Sequence, residues 1–233
     1  MPLFDPLLDP EFDSRAQARA QALQNEGRDL AQYRNECLRQ ADVRLQELKA
    51  AYRERKDTCR EALERWITSV RRISERILSS SSGMFRGLAD KTTLSALGNA
   101  QVELTEQTAH LRSALSRFLQ WEREAEAGEA LLAHLAEELF LLRFAAADGE
   151  REQWEEATGE MRRVTQAQAE QRNAFVLQRS AVLSFGTVEL SRFQKEFSDG
   201  CDFLHEGAAL SRTGVQLLLG EMERAVRELV AKL

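Results

Sequence analysis

Hydrophobic residues recur at intervals of three and four along nearly the whole chain. From Cys59 the series Leu63, Trp66, Val70, Ile73 and Ile77 steps by 4, 3, 4, 3 and 4. That heptad predicts one face of a long α-helix. Leu45, Leu48 and Tyr52 extend it backwards, and only Gly27 interrupts the Ala- and Gln-rich stretch before them. A first helix is therefore expected over about 14–78, with Ser14 as its N-cap. At 1.5 Å per residue such a helix would run on the order of 100 Å.

The stretch "SSSSGMFRGLADKTT" (79–93) cannot carry a helix face, and the chain is expected to turn there. Thr92 or Thr93 then caps a second helix over about 93–146. Its seam is Leu97, Leu104, Thr108, Leu111, Leu115, Phe118, Ala125, Leu132, Leu135, Leu139 and Leu142, with a polar skip near Glu122 and Glu129. "AAADGE" (145–150) reads as a tight turn, and short connections make antiparallel neighbours. A third helix is expected over about 150–232. It passes through Trp154, Met161, Val164, Phe175, Val182, Phe185, Phe193 and Phe197, then Cys201, Leu204, Ala208, Ser211, Val215, Leu218, Met222, Ala225 and Leu229. Gly200, Gly207 and Gly214 fall seven apart on one face of that helix. Each costs about 1 kcal/mol against alanine, and two readings stand: close backbone approach at a subunit or intrachain contact, or a bend or break in the third helix. No alternation of β-branched residues competes with the helical period. The expectation is an all-α fold, a long antiparallel three-helix coiled coil. It would be elongated, and dimeric because one rod leaves apolar surface uncovered.

All three prolines lie at positions 2, 6 and 10, inside a segment (1–13) with four acids and no bases. This segment reads as an extended, acidic, Pro-rich tail; the domain proper is expected over 14–233. The charged share is 30% against 7% aromatic, a composition of long helices. A net charge of -6 argues against a dedicated nucleic-acid binder. The first residues do not read as a signal peptide, and no apolar run reaches the roughly 18 residues of a membrane span. Cys37, Cys59 and Cys201 are distant and odd in number, which fits reduced thiols in the cytosol.

Charge is unevenly spread. Residues 14–78 carry fifteen Lys/Arg against ten Asp/Glu, and residues 99–160 five against fourteen. The densest basic run is Arg53, Arg55, Lys56, Arg60, Arg65, Arg71, Arg72 and Arg76, joined across the turn by Arg86 and Lys91. It reads either as a solvated coiled-coil flank with intrahelical Glu–Arg pairs or as a footprint on an anionic membrane. On such a surface each Lys or Arg contributes about 1 kcal/mol. A membrane reader would gather these residues on one face; a scaffold would interleave them with acids.

Chemistry for catalysis is absent from the pattern. His110, His134 and His205 are scattered, Asp202 and His205 make a lone Asp-x-x-His step, and a di-iron bundle would need two Glu-x-x-His motifs. Glu137 and Glu138 are expected to face water. Neither an enzymatic activity nor a cofactor or metal is expected. Trp66, Trp121 and Trp154 read as core or interface anchors, with Trp66 and Trp154 the candidates for dimer packing.

Two segments carry a resemblance to sorting-nexin BAR domains: "ADKTTLSALGNAQVELTEQTAHL" (89–111) resembles the turn and start of their second helix. "LSRFQKEFSDGCDFLHEGAALSRTGVQLL" (190–218) resembles their last helix, with Arg192, Phe193, Lys195, Glu196 and Asp199 in the motif positions. The resemblance implies a crescent-shaped homodimer, or a heterodimer with a related BAR protein. Such a dimer would bind or sense curved anionic endosomal membrane and serve vesicle or endosomal protein sorting, cytoplasmic and peripheral on those membranes. The chain departs from many such domains in its negative net charge and in an acidic tail where a basic amphipathic helix often leads in. Binding that is weak, or made through a partner subunit, follows. The tail "LFDPLLDPEFD" (3–13) looks like the acidic Asp-Pro-Leu and Leu-Leu-Asp peptides that dock on coat adaptors. Three-residue matches are common by chance, however, and the favoured reading is a plain disordered terminus or a segment packed on the bundle. The alternative function is a soluble coiled-coil scaffold or tether linking proteins without lipid contact.

Overall fold

The computed structural model describes residues 11–80, 91–205 and 212–233. Among them the fold is all-α, with no strand. The helices are α1 (Phe12–Asn25), α2 (Leu30–Ser80), α3 (Lys91–Ala145), α4 (Arg151–Ser184), α5 (Leu190–His205) and α6 (Arg212–Lys232). A 3₁₀ turn over Asp148–Glu150 joins α3 to α4, where "AAADGE" was expected to turn, and a π-helical segment over Phe185–Glu189 joins α4 to α5.

The first expected helix is two helices. Gly27 has φ +73°, and it is the C′ residue of α1: its N–H donates to the Gln24 carbonyl and the Arg28 N–H to the Leu23 carbonyl, both at 2.9 Å. These are the two bonds of a Schellman cap, which places a glycine in the left-handed region without a Cβ penalty. Asp29 then caps α2, its carboxylate accepting the Gln32 N–H at 2.8 Å. Ser14 is not the N-cap of α1. It lies inside the first turn, and its hydroxyl donates to the Glu11 carbonyl at 2.7 Å. Phe12 and Asp13 belong to α1 rather than to an extended tail, whose residues 1–10 lie outside the described set.

The third expected helix is broken too. Leu190 follows Phe185 in the buried seam by five residues, one more than an α-helix tolerates, and the π segment absorbs the extra residue. Beyond α5 the direction reverses. The Gln178 side-chain amide donates to the Leu233 carbonyl at 3.2 Å, and Arg192 meets Glu221 at 3.2 Å. As the α4–α5 number rises the α6 number falls, so α6 is antiparallel to them. Its buried series is Met222, Val226, Leu229 and Leu233, in place of the expected one through Ala225.

The chain divides into two compact units, one made of residues up to Ala51 with Glu122–Ala174, the other of Tyr52–Trp121 with Phe175–Leu233. In the first, Leu23, Cys37, Ala41, Leu132, Leu135, Leu139, Leu142, Trp154 and Met161 form one core cluster. In the second, the rings of Tyr52, Phe118, Trp121 and Phe175 pack together at tilted angles, with the Trp121 and Phe175 centroids 4.9 Å apart; Trp66 meets Phe185 edge to face and Phe193 at a tilt. Full burial of each such side chain contributes about 1.5–3 kcal/mol. The polar skip expected in the second helix is filled by Trp121 and Gly128, both buried, so its seam is continuous.

Candidate functional site

On a helix of 3.6 residues per turn the basic run of α2 divides between two flanks. Arg53, Arg60 and Arg71 fall on one, Arg65, Arg72 and Arg76 on the other. The ion pairs follow that division. Arg71 Nε meets Glu223 of α6 at 2.6 Å, while Arg72 meets Glu103 of α3 at 3.8 Å and Arg76 pairs with the same carboxylate. Arg65 pairs within its own helix with Glu61 at 2.7 Å. Arg55 donates to the Arg117 carbonyl at 3.1 Å. The Lys56 ammonium lies 5.9 Å from the centre of the Tyr52 ring, and burial lowers its pKa. Arg60 is half-buried, and its enclosed Nε has no hydrogen-bond partner among the described residues. Arg53 is exposed. Arg86 and the Lys91 side chain lie outside the described residues. Among the described residues the run therefore does not make a single cationic face; acids from α3 and α6 are set among its members. Hydrogen bonding to Arg71 holds the Glu223 carboxylate below its usual range.

In the second unit a cleft of about 370 Å³ lies between α4–α5 and α6. Its floor includes Phe185 and Phe193, and its rims carry Glu189, Glu221 and Glu228 beside Arg192, Arg224 and Lys232. Arg192 is held by Glu189 at 3.0 Å, Glu221 at 3.2 Å and Glu196 at 3.5 Å, with its guanidinium 4.6 Å from the Phe193 ring centre. The Arg192–Phe193–Glu196 motif thus joins α5 to α6. Balanced signs and an apolar floor suit a peptide or helix of mixed charge better than a small anion.

In the first unit a network unmarked in the sequence locks α1 in place. Arg19 meets Glu138 at 2.8 Å, and the Tyr33 hydroxyl donates to the same carboxylate at 3.0 Å. Burial, with the nearby charges, pushes the Tyr33 pKa up to about 12. Glu138 is thus half-buried instead of facing water; Glu137 is exposed. Gln168 sits in the α4 seam, seven residues before Phe175, 1% exposed and with neither amide atom partnered among the described residues. A polar residue at such a seam position sets register at a cost in stability.

Trp66 and Trp154 are 1% and 0% exposed, so both pack within the chain and neither presents a surface to a second copy. The Trp66 indole N–H donates to Thr108 Oγ1 at 3.1 Å. The guanidinium of Arg34 lies 5.5 Å from the Trp154 ring centre. Gly200 lies in α5 and Gly214 in α6, so they do not share a face of one helix; Gly207 is outside the described residues. His110 and His134 are exposed on α3, and the His205 and Asp202 side chains are outside the described residues. Among the described residues no group of three His, Cys, Asp or Glu gathers to hold a metal, and no helix is long and apolar enough to cross a membrane. Cys37 and Cys59 are buried free thiols, and burial raises the pKa of both, that of Cys59 to about 12. No protein-family model, characterised protein or solved structure matches this chain at a significant level.

Proposed function

We propose that the chain is a non-enzymatic helical scaffold or tether that joins protein partners and makes no lipid contact. The observation that supports it is the interleaving of the basic run with acids. Arg65, Arg71, Arg72 and Arg76 are each engaged by a carboxylate, and the run is split between two flanks of α2. Exposed pairs of this kind add about 0–1 kcal/mol each to stability, yet they lower the charge left for an anionic surface. The mixed-charge cleft beside the π segment is the face we assign to a partner helix.

A second reading is the membrane-associated BAR-type dimer of endosomal sorting, elongated and built as an antiparallel three-helix coiled coil. The observation in its favour is that Arg53, Arg224 and Lys232 are exposed and have no acidic partner among the described residues. It carries with it a cytoplasmic face of endosomes or vesicles as the location and residues 3–13 as an adaptor-docking peptide. Co-sedimentation with phosphatidylcholine vesicles, with and without phosphatidylserine, at low and high salt separates the two. The scaffold stays in the supernatant throughout. Pelleting that needs phosphatidylserine, falls with salt and disappears in an Arg71→Glu/Arg72→Glu/Arg76→Glu variant would overturn the scaffold in favour of the membrane reading.

A further inference from the structure

The turn between α1 and α2 conflicts with the pattern that surrounds it. Ala16, Ala20, Leu23, Gly27, Leu30, Arg34, Cys37 and Ala41 step by 4, 3, 4, 3, 4, 3 and 4, a seam that runs through the turn without a slip. Only Gly27 and the Asp29 cap break it into two helices. Folded back, α1 has a shallow hold. Two of its four buried residues are alanines, and its other anchors are Leu23, Phe12 against Phe140 and Phe144, and the Arg19–Glu138–Tyr33 lock. Beneath it lie Cys37, Leu139, Leu142 and Trp154, which must be covered.

We propose that α1 is an exchangeable helix. In one state it lies in its own groove. In the other it continues α2 as a single helix, and the vacated groove takes α1 of a second copy, which receives the first in return. The occupant is a second copy because α1 already complements this groove in shape and charge, and because the extended seam leaves Ala16, Ala20 and Leu23 in need of the same surface. Reciprocal exchange closes with twofold symmetry and adds no new interface beyond the straightened turn. This inference does not rest on either reading of function.

A charge swap tests it on the full chain. Arg19→Glu and Glu138→Arg each place like charges in the lock, in the folded-back form and in an exchanged homodimer alike. Mixed together, both locks are complementary only across two chains. By sedimentation velocity the mixture is expected to form a 1:1 dimer at least tenfold tighter than either variant alone, while the cis double variant behaves as the wild type. Cys37 is expected to react with a thiol reagent faster than Cys59 in each single variant, and to be protected again in the mixture. Gly27→Ala/Asp29→Ala, which removes both stop signals, is expected to raise the dimerisation constant of an otherwise wild-type chain at least tenfold with helix content unchanged. A mixture that sediments as the sum of its parts, with Cys37 still reactive, overturns the proposal. So does dimerisation that is indifferent to the charge swap.

Discussion

At the scale of single residues, a buried donor and acceptor that satisfy each other matter beyond their own bond, because removing one orphans the other. Trp66 Nε1 and Thr108 Oγ1 form such a pair, with Thr108 1% exposed. Thr108→Val keeps the volume but orphans the indole N–H, and is expected to cost about 1–3 kcal/mol in urea denaturation, whereas Thr108→Ser should cost less. Proton linkage acts at the alkaline end. Tyr33 and Cys59 both have folded-state pKa values raised to about 12. A raised value means that the folded state holds the proton more tightly. The associated stability is therefore complete below the unfolded-state pKa values and declines from roughly pH 9 towards pH 12. The urea midpoint is expected to fall across that window, and Tyr33→Phe should flatten part of the fall; an unchanged slope would remove Tyr33 from the account. None of these pairs was legible beforehand. Thr108 was placed in the seam by its spacing, but a spacing does not say which indole it faces.

Among the elements, close approach and interruption matter most. A Cβ added at Gly128 would clash with Leu48 Cδ1 and stand 3.3 Å from Leu48 Cγ and 3.4 Å from Arg44 Nε, so the Leu48 side chain of α2 rests directly on Gly128 of α3. Leu48 is 1% exposed and has little room to retreat. Gly128→Ala gains about 1 kcal/mol of helix propensity but overpacks a tight site at about 1–3 kcal/mol. A net loss is expected, partly relieved when Leu48→Ala is added. Gly159 in α4 has nothing within 4 Å of such a Cβ, and Gly159→Ala should stabilise by about 1 kcal/mol. Thermal melts of the two variants should move in opposite directions. The stop signals between α1 and α2 were present in the sequence: glycine followed by Asp-x-x-Gln is a C-cap and an N-cap in succession. They are outvoted by periodicity when the heptad is read alone, since the seam passes through them unbroken. The π segment left a weaker trace, the five-residue step from Phe185 to Leu190, which is visible only once Leu190 is known to be buried.

For the whole molecule, the two compact units share α2, α3 and α4, each helix contributing a segment to both. Trp154 belongs to the first unit alone, and Trp154→Ala is expected to cost about 3–5 kcal/mol through the cavity it leaves. Amide exchange should report that loss mainly in residues 12–51 and 122–174. Equal loss of protection in residues 52–121 would mean that the units unfold as one. The sequence by itself determined the helical class, the apolar positions of the α2, α3 and α4 seams apart from Trp121, Gly128 and Gln168 among the described residues, and the turn before α4, because burial of one apolar face imposes a period that survives in the spacing of residues. Tertiary structure alone decided that α6 turns back on α4 and α5, that Arg71, Arg72 and Arg76 meet acids of other helices, and that Glu138 is drawn into a lock with Arg19 and Tyr33. Helical periodicity says which side of a helix is buried. It carries no record of which helix lies opposite, and charges find their partners only after that is settled.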